Sequence, residues 1–392
     1  MKVALDARAL TWATTRGIGR YQFNLANELI KLGVEIFLVV EKANFFITPP
    51  PRAKIIEVPV SAPKKIKALL WSQIALPRKI KQLPIDLYHN TADNGLPLFC
   101  PVPSVITVHD ISPLLFPQFS YIFWPLSRKI IYKTHLLINK FSKAEIIAVS
   151  KTTKNDLVRH LKINPAKINV VYNGFNPPKL FSEQKIEENL KRFSIKSDYF
   201  LFVGGIEPRK NLLFLVKAFN RYLQEVKTNE VLVITGETGK YIEAIFCYQE
   251  IQEYFKTAEG AMVKDKVIFT GEVSEEEKTS LMKKSIALAY PSVYEGFGFP
   301  PLEAASIGVP VITSPVSGML EVAKEFALFA SPDNLKELSE AFKKIKNKDL
   351  RNKLVAQGLI RARQFSWTAT AKKTLLVYEK ILNKSARATV IK

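Results

Sequence analysis

The sequence predicts an α/β protein of two doubly wound domains, each built on a parallel sheet. Three observations lead there. Short apolar runs of the kind that form buried strands alternate with helical stretches along the whole chain. The alternation breaks once, near Gly174, in NGFNPPKLFSEQ, where Asn, Gly and two prolines suit a linker. A chain of 392 residues also exceeds what one ordinary core accommodates.

In order, Val3–Leu5 reads as a first strand, followed by a loop and a helix from about Tyr21 to Leu32 that Gly33 stops. Glu35–Val40, Ser104–His109, Ile146–Ser150 and Asn169–Tyr172 complete the strands of the first half. The second half opens with Tyr199–Val203 and continues with Val231–Thr235, Val267–Thr270, Ile286–Tyr290 and Val309–Thr313. Ser366–Leu382 reads as a helix with Trp367, Ala371, Leu375, Tyr378 and Leu382 on one apolar face.

The opening MKVALDARAL carries an Asp and an Arg among its first eight residues and reads as a strand, not a signal peptide. No apolar run is long enough for a membrane span. Cys100 and Cys247 lie far apart, form no metal or redox pattern and are expected as buried thiols in a reducing cytoplasm. The net charge of +21 is uneven. Residues 1–175 hold 24 Lys/Arg against 10 Asp/Glu, residues 176–350 hold 23 against 25, and residues 351–392 hold 10 against 1. Two basic ends around a neutral middle point to an anionic partner, or to a solvated lysine coat. Pro117–Lys143 and Lys64–Lys81 mix apolar and aromatic residues with cations; they suit core helices with lysine rims, or a basic face for an anionic membrane.

Residues 290–314 read YPSVYEGFGFPPLEAASIGVPVITS. Pro300 and Pro301 suit a helix's first turn, where a missing N–H costs nothing, and Gly308 suits its C-terminal stop. Glu295 and Glu303 therefore flank a helix N-terminus, whose free N–H groups and dipole favour a phosphate. Acceptor-only carboxylates on both sides of an anion site fit a nucleotide sugar, with hydroxyls either side of its phosphates. The plain alternative is a strand–turn–helix with a glutamate placed for the dipole.

This segment resembles the spaced double-glutamate motif of the retaining glycosyltransferases of family 4. The resemblance implies the GT-B architecture: two Rossmann-like domains facing a central crevice, with a C-terminal helix returning to the N-terminal domain. The domains would be 1–175 plus 366–392, for the acceptor, and 176–365, for the nucleotide sugar. By that resemblance Glu295 lies by the donor sugar, Glu303 binds the ribose hydroxyls, and the amides of Gly296, Phe297 and Gly298 meet sugar and diphosphate.

FVGGIEPRKN (Phe202–Asn211) places Arg209 and Lys210 before a helix that Asn211 would cap, a second phosphate site. It is similar to the family's diphosphate loop. Lys210 matches the family lysine, whereas the usual arginine after the first glycine is replaced by Gly205, so Arg209 would supply that charge. RGIGRY (Arg16–Tyr21) resembles the version common in mannosyltransferase-like members; Gly17 and Gly19 would let the backbone approach the donor phosphate, with Arg20 near the anion. His109 ends a strand, where doubly wound sheets bind ligands, and the resemblance places it against the donor sugar. Asp110 beside it and His89, which ends the strand-like DLYHN, are candidates on the acceptor side with Arg20. Val273, after FTGE, is the base-edge candidate.

No Asp-x-Asp occurs in the chain. The expectation is a hexosyltransferase with no metal and no cofactor, in which Arg209, Lys210 and helix dipoles neutralise the leaving diphosphate, with His109 and Glu295 at the reacting centre. The donor would be GDP-mannose first, then a UDP-sugar; the acceptor a glycan, a lipid-linked sugar or an anionic surface in polysaccharide synthesis, with no nucleic acid. A sugar-nucleotide epimerase or hydrolase of the same fold, and a basic nucleic-acid-binding module, are the rival readings.

Overall fold

The computed structural model describes residues 1–11, 17–92, 95–120 and 123–390. The chain divides into two compact units: Met1–Leu115 with Trp124–Gly174 and Phe365–Lys392, and Phe116–Phe123 with Phe175–Gln364.

The first unit holds β1 (Lys2–Asp6), β2 (Glu35–Val40), β3 (Lys54–Glu57), β4 (Leu87–Asn90), β5 (Ser104–Val108), β6 (Glu145–Ala148) and β7 (Ile168–Val170). They form one parallel sheet in the order β3-β2-β1-β4-β5-β6-β7. Central strands are buried along nearly their whole length, as expected when helices cover both faces of a parallel sheet. The second unit holds β8 (Tyr199–Val203), β9 (Val231–Thr235), β10 (Val267–Gly271), β11 (Ala287–Tyr290), β12 (Val311–Thr313) and β13 (Ala327–Phe329). Its sheet is also parallel, in the order β10-β9-β8-β11-β12-β13. In each sheet the chain works outward from its first strand, then restarts on that strand's other side. The loops after β1 and β4, and after β8 and β11, therefore diverge at a switch point, where doubly wound sheets leave room for a ligand.

No regular element lies between β7 and the helix that begins at Glu183, so the Gly174 segment is an extended connection. The C-terminal helix runs Trp367–Val390 and packs on the Gly17–Lys31 helix of the first unit. Its buried stripe departs from the sequence reading. Trp367, Ala371 and Tyr378 are buried with Thr370, Thr374 and Ile381, while Leu375 and Leu382 are only half-buried. The stripe is rotated because polar threonines join it: Thr370 Oγ1 donates to the Tyr172 carbonyl at 2.8 Å.

Two further differences are informative. Residues 116–123, read as part of the first domain, cluster with the second unit, because the Phe116 ring meets Tyr294 and the Phe123 ring meets Phe246. The helix Lys348–Ala362 lies in the second unit, inside the 176–365 range read for that domain. The basic C-terminal stretch is thus shared, and the first unit holds 30 Lys/Arg against 11 Asp/Glu, a net +19, leaving +2 for the second. Cys247 is buried as expected, but Cys100 is half-buried in the loop before β5. Among the described residues no helix is long and apolar enough to cross a membrane.

The return of the C-terminal helix depends on Gly174. A Cβ there would sit 2.3 Å from the Trp367 backbone nitrogen, which is closer than any side chain can be tolerated. Gly174→Ala should therefore destabilise the first unit by about 1–3 kcal/mol, the usual range for overpacking. Thermal unfolding of the two proteins checks it; an unchanged melting temperature would contradict the packing.

Candidate functional site

A cluster of four charged side chains in the second unit lies at its switch point, where the loops after β8 and β11 meet. Beyond β8, Gly204 and Gly205 turn the chain into a short 3-10 turn, Pro208–Lys210, and then into the helix Leu212–Val226. Gly204 takes a φ of +155°, and the adjacent Gly236 has no room for a Cβ, which would lie 2.5 Å from the Gly204 carbonyl oxygen. Gly205 is exposed beside Glu207. Asn211 stands at the start of the helix but does not cap it through its side chain. Its backbone is left-handed (φ +61°), and its amide donates to the Pro332 carbonyl at 2.7 Å, tying this loop to the one before the Leu335–Lys344 helix.

Glu295, from the loop after β11, is buried at the centre. Oε1 accepts from Lys210 Nζ at 2.5 Å, from Ser292 Oγ at 2.7 Å and from Tyr290 at 3.1 Å. Oε2 pairs with Arg209 Nη1 at 2.8 Å. Arg209 also donates through Nε to Glu207 Oε2 at 2.9 Å and through Nη1 to the Tyr294 carbonyl at 3.2 Å. Lys210 is buried, donates to the Tyr290 hydroxyl and lies 4.9 Å from the centre of that ring. Burial alone would raise the Glu295 carboxyl, but Arg209 and Lys210 outweigh it and hold its pKa at about 2. Burial, helped by the Arg209 charge, pulls Lys210 below its ordinary value, with Glu295 opposing. Two carboxylates, Glu207 and Glu295, thus balance two cations.

The glycine turn that follows is held from behind. The Glu295 amide donates to Ser317 Oγ at 2.8 Å, and the Gly318 amide donates to the Glu295 carbonyl at 3.0 Å. A Cβ on Gly318 would lie 2.3 Å from the Gly296 oxygen, so only glycine lets these segments touch. Phe297 is buried, and Gly298, at φ +102°, caps the helix Phe299–Ser306. Glu303 is buried on that helix with Oε2 held by Lys278 Nζ at 3.0 Å; Lys278 in turn pairs with Glu275. Val273 is half-buried in the loop between β10 and the helix Glu275–Lys284. The structure therefore gathers Glu295, Arg209 and Lys210 into one cluster, with Gly296, Phe297, Gly298 and Glu303 following on the same segment. Tyr290, Ser292, Glu207, Ser317 and Lys278 were not singled out in the sequence. Glu207, Tyr290 and Ser292 have a local signal, since each lies within five residues of a predicted site residue in the same run.

In the first unit, Gly17 and Gly19 lie inside the first turn of the Gly17–Lys31 helix; Arg16 lies outside the described residues. Gly19 serves close packing there, since a Cβ would meet the Ala9 carbonyl oxygen at 3.2 Å. Arg20 is half-buried, and its carbonyl accepts from the Asn24 amide. His109 follows β5; its Nε2 donates to the Thr91 carbonyl at 3.0 Å, and its ring stands edge-on to Tyr21 at 4.9 Å. Asp110 accepts from the Ser112 amide at 2.8 Å and its hydroxyl at 2.7 Å, opening the next helical turn.

His89 does not belong with them. It is fully buried within β4, with Nδ1 against the Tyr378 hydroxyl at 2.6 Å and Nε2 against Thr107 Oγ1 at 2.8 Å. Its position inside a strand covered on both faces, not beyond the strand's end, makes it a core residue linking the C-terminal helix to the sheet. Among the described residues no group of three His, Cys, Asp or Glu side chains is placed to hold a metal ion.

Comparison with known proteins agrees with this layout. Residues 15–178 match the family model described as Glycosyltransferase Family 4, and residues 184–360 match that of Glycosyl transferases group 1. The chain is 33% identical to the O-antigen chain mannosyltransferase RfbU of Salmonella typhimurium over 61% of its own length and 60% of that protein's. It is 26% identical to O-antigen chain mannosyltransferase B of Escherichia coli over 97% of this chain and all of that one. Among solved structures it is similar to a sucrose-phosphate synthase from Thermosynechococcus elongatus, with a TM-score of 0.77 at 18% identity over 98% of this chain and 100% of the other.

His89 and His135 give the protein a distinctive acid response. Burial lowers their pKa values from 6.5 to about 3 and about 4. The unfolded chain binds both protons as pH falls below 6.5, whereas the native state takes them up only below about 4. Stability is therefore full above pH 6.5 and falls on acidification, by up to about 1.4 kcal/mol per pH unit for each histidine. His89→Gln should flatten that slope in urea unfolding measured from about pH 7.5 to about pH 5. An unchanged slope would show that His89 titrates normally.

Proposed function

The chain belongs to glycosyltransferase family 4, and from that premise we propose that it is a retaining, metal-independent hexosyltransferase. It moves a sugar, mannose first, from a nucleoside-diphosphate donor to a glycan or lipid-linked acceptor in cell-envelope polysaccharide synthesis. The observation that carries the reading is the pairing of Glu295 with both Lys210 and Arg209 at the switch point of the second sheet. Mannose is favoured by the two mannosyltransferases that the chain resembles, and GDP-mannose is the donor this reading takes first. A UDP-sugar is the next choice.

In this reading the donor diphosphate shares the cations that Glu295 holds, meeting the amides of Gly296–Gly298 and the dipole of the Phe299–Ser306 helix. Glu303, oriented by Lys278, accepts the ribose hydroxyls, and Val273 lies by the base. Arg209 takes the part of the arginine replaced by Gly205; its guanidinium already reaches the same carboxylate as Lys210. The bond from the sugar's anomeric carbon to the phosphate oxygen breaks, and its electron pair leaves with the diphosphate. The acceptor hydroxyl then bonds to that carbon from the same face and gives its proton to the departing phosphate oxygen. A carboxylate as strongly paired as Glu295 is a weak nucleophile, which favours this route over a covalent intermediate. Arg209 and Lys210 stabilise the charge growing on the leaving group. His109, fixed by the Thr91 carbonyl, is placed by this reading near the donor sugar, with Arg20 and Asp110 on the acceptor side. The basic first unit suits an acceptor presented at an anionic surface, and the reading places the enzyme in the cytoplasm at the inner face of the membrane.

Glu303→Ala should raise the donor KM more than tenfold with a small change in kcat, because each hydrogen bond to a charged acceptor contributes roughly 1.5–3 kcal/mol. An unaltered donor KM would remove Glu303 from the ribose site.

Lys210→Ala should lower kcat more than it raises KM, and more than Arg209→Ala does, since Lys210 is the more deeply buried of the two. Activity of the parent should be indifferent to Mg²⁺ and to chelator. Strict metal dependence would overturn the mechanism, and donor turnover without acceptor would favour an epimerase or hydrolase.

A further inference from the structure

We propose that the helix Leu126–Phe141 is the surface by which this protein docks on an anionic phospholipid bilayer. Its inner face, with Leu136 and Ile138, is buried in the first unit's core. Its outer face is apolar as well. Leu126, Ile130, Leu137 and Phe141 are 71%, 55%, 54% and 69% exposed, and their spacing of four, seven and four residues sets them in one stripe along the helix. Exposed Lys133 occupies the one remaining place in that stripe.

The charge around the stripe is of a single sign. Arg128, Lys129, Lys133 and Lys140 lie on the helix, Lys143 follows it, and no Asp or Glu occurs from Leu126 to Phe141. Trp124 stands before the first turn with the Arg128 guanidinium 4.1 Å from its ring centre. Leu, Ile, Phe and Trp among lysines and arginines is the composition of helices that lie in a membrane interface. There the apolar residues enter the acyl boundary and the cations meet lipid phosphates. The +19 of the whole unit extends the attraction beyond the helix.

A second copy of the chain fits this stripe poorly. A two-fold contact would bring four cations against four with no acidic residue on the helix between them. An anionic bilayer supplies both the apolar layer and the opposite charge. The inference rests on the proposed acceptor at an anionic surface only for its purpose; exposure, spacing and charge carry it independently of the reaction.

Flotation of the full chain with phosphatidylcholine vesicles, with and without phosphatidylglycerol, tests it. The parent should float with the anionic vesicles at low salt and bind them roughly tenfold more weakly, or worse, at high salt. Ile130→Glu with Leu137→Glu should lose at least about tenfold in binding at an unchanged melting temperature, since both positions face solvent. Lys129→Gln with Lys133→Gln and Lys140→Gln should weaken binding to the anionic vesicles by about tenfold or more and leave the weak binding to neutral ones unchanged. Parent protein that ignores both vesicles, or an Ile130→Glu/Leu137→Glu protein that floats like the parent, would overturn the proposal. So would a parent dimer in sedimentation that the same double substitution makes monomeric. Vesicle binding that persists while no donor sugar is transferred would count against the proposed reaction and leave the docking surface standing.

Discussion

Everything at the candidate site follows from the cost of burying the Glu295 carboxylate. A carboxylate out of water is destabilising by several kcal/mol unless it is paired and its oxygens are hydrogen-bonded. Here both oxygens are satisfied, by Lys210, Ser292 and Tyr290 on one side and Arg209 on the other. That requirement binds the loop after β8 to the loop after β11. The same two loops are joined through the backbone, where the Val293 amide donates to the Arg209 carbonyl at 2.9 Å. Lys210 is buried in turn and relies on Glu295, so removing the glutamate would strand it. A group of charges held this way is preorganised: its cations are already oriented and desolvated where an anion could claim them.

The two sheets place their polar side chains by one rule, and the histidines show how sharp it is. His109 stands just beyond β5, where the chain has left the sheet and side chains escape the covering helices. His89 stands inside β4, one residue before its end, where both faces are covered. Both residues end an apolar run in the sequence. The difference is two residues of strand length, and it separates a candidate site residue from a core residue bonded to Thr107 and Tyr378.

That comparison marks how far the sequence could be read. β2, β8 and β9 have the limits their apolar runs predict, because a strand buried on both faces needs an unbroken apolar run. β3 carries no such signal: KIIE is an edge strand, largely exposed, and its ends are charged. β13 is three residues long, too short for a period to register. Within the site, Glu295, Glu303, Arg209 and Lys210 were legible because each lies in a short, unusual run next to glycines. Their partners were not. Lys278 meets Glu303 across 25 positions, and Lys210 meets Glu295 across 85. Such pairings are set by strand order, and no local spacing records which of several lysines will reach a given glutamate. Asn211 shows the converse: a residue of the right type at the right place, whose side chain a distant carbonyl claimed first.

The charge distribution divides the labour between the units. In the second unit cations and carboxylates are nearly equal in number, and many are spent on each other: Lys278 with Glu303, Arg192 with Glu277, Lys343 with Glu225. In the first unit no arrangement of side chains can do this. With 11 acidic residues for 30 basic ones, one-to-one pairing leaves 19 cations facing water or an external anion, whatever the fold. Like charges at that density repel and weaken the compact state unless counter-ions or a binding surface offset them. In the proposed reading a dianionic donor accounts for a few such cations, and those it uses sit in the neutral unit. The excess on the other unit is then left for a larger anion. The anionic bilayer proposed above has charge large enough and spread widely enough to match it.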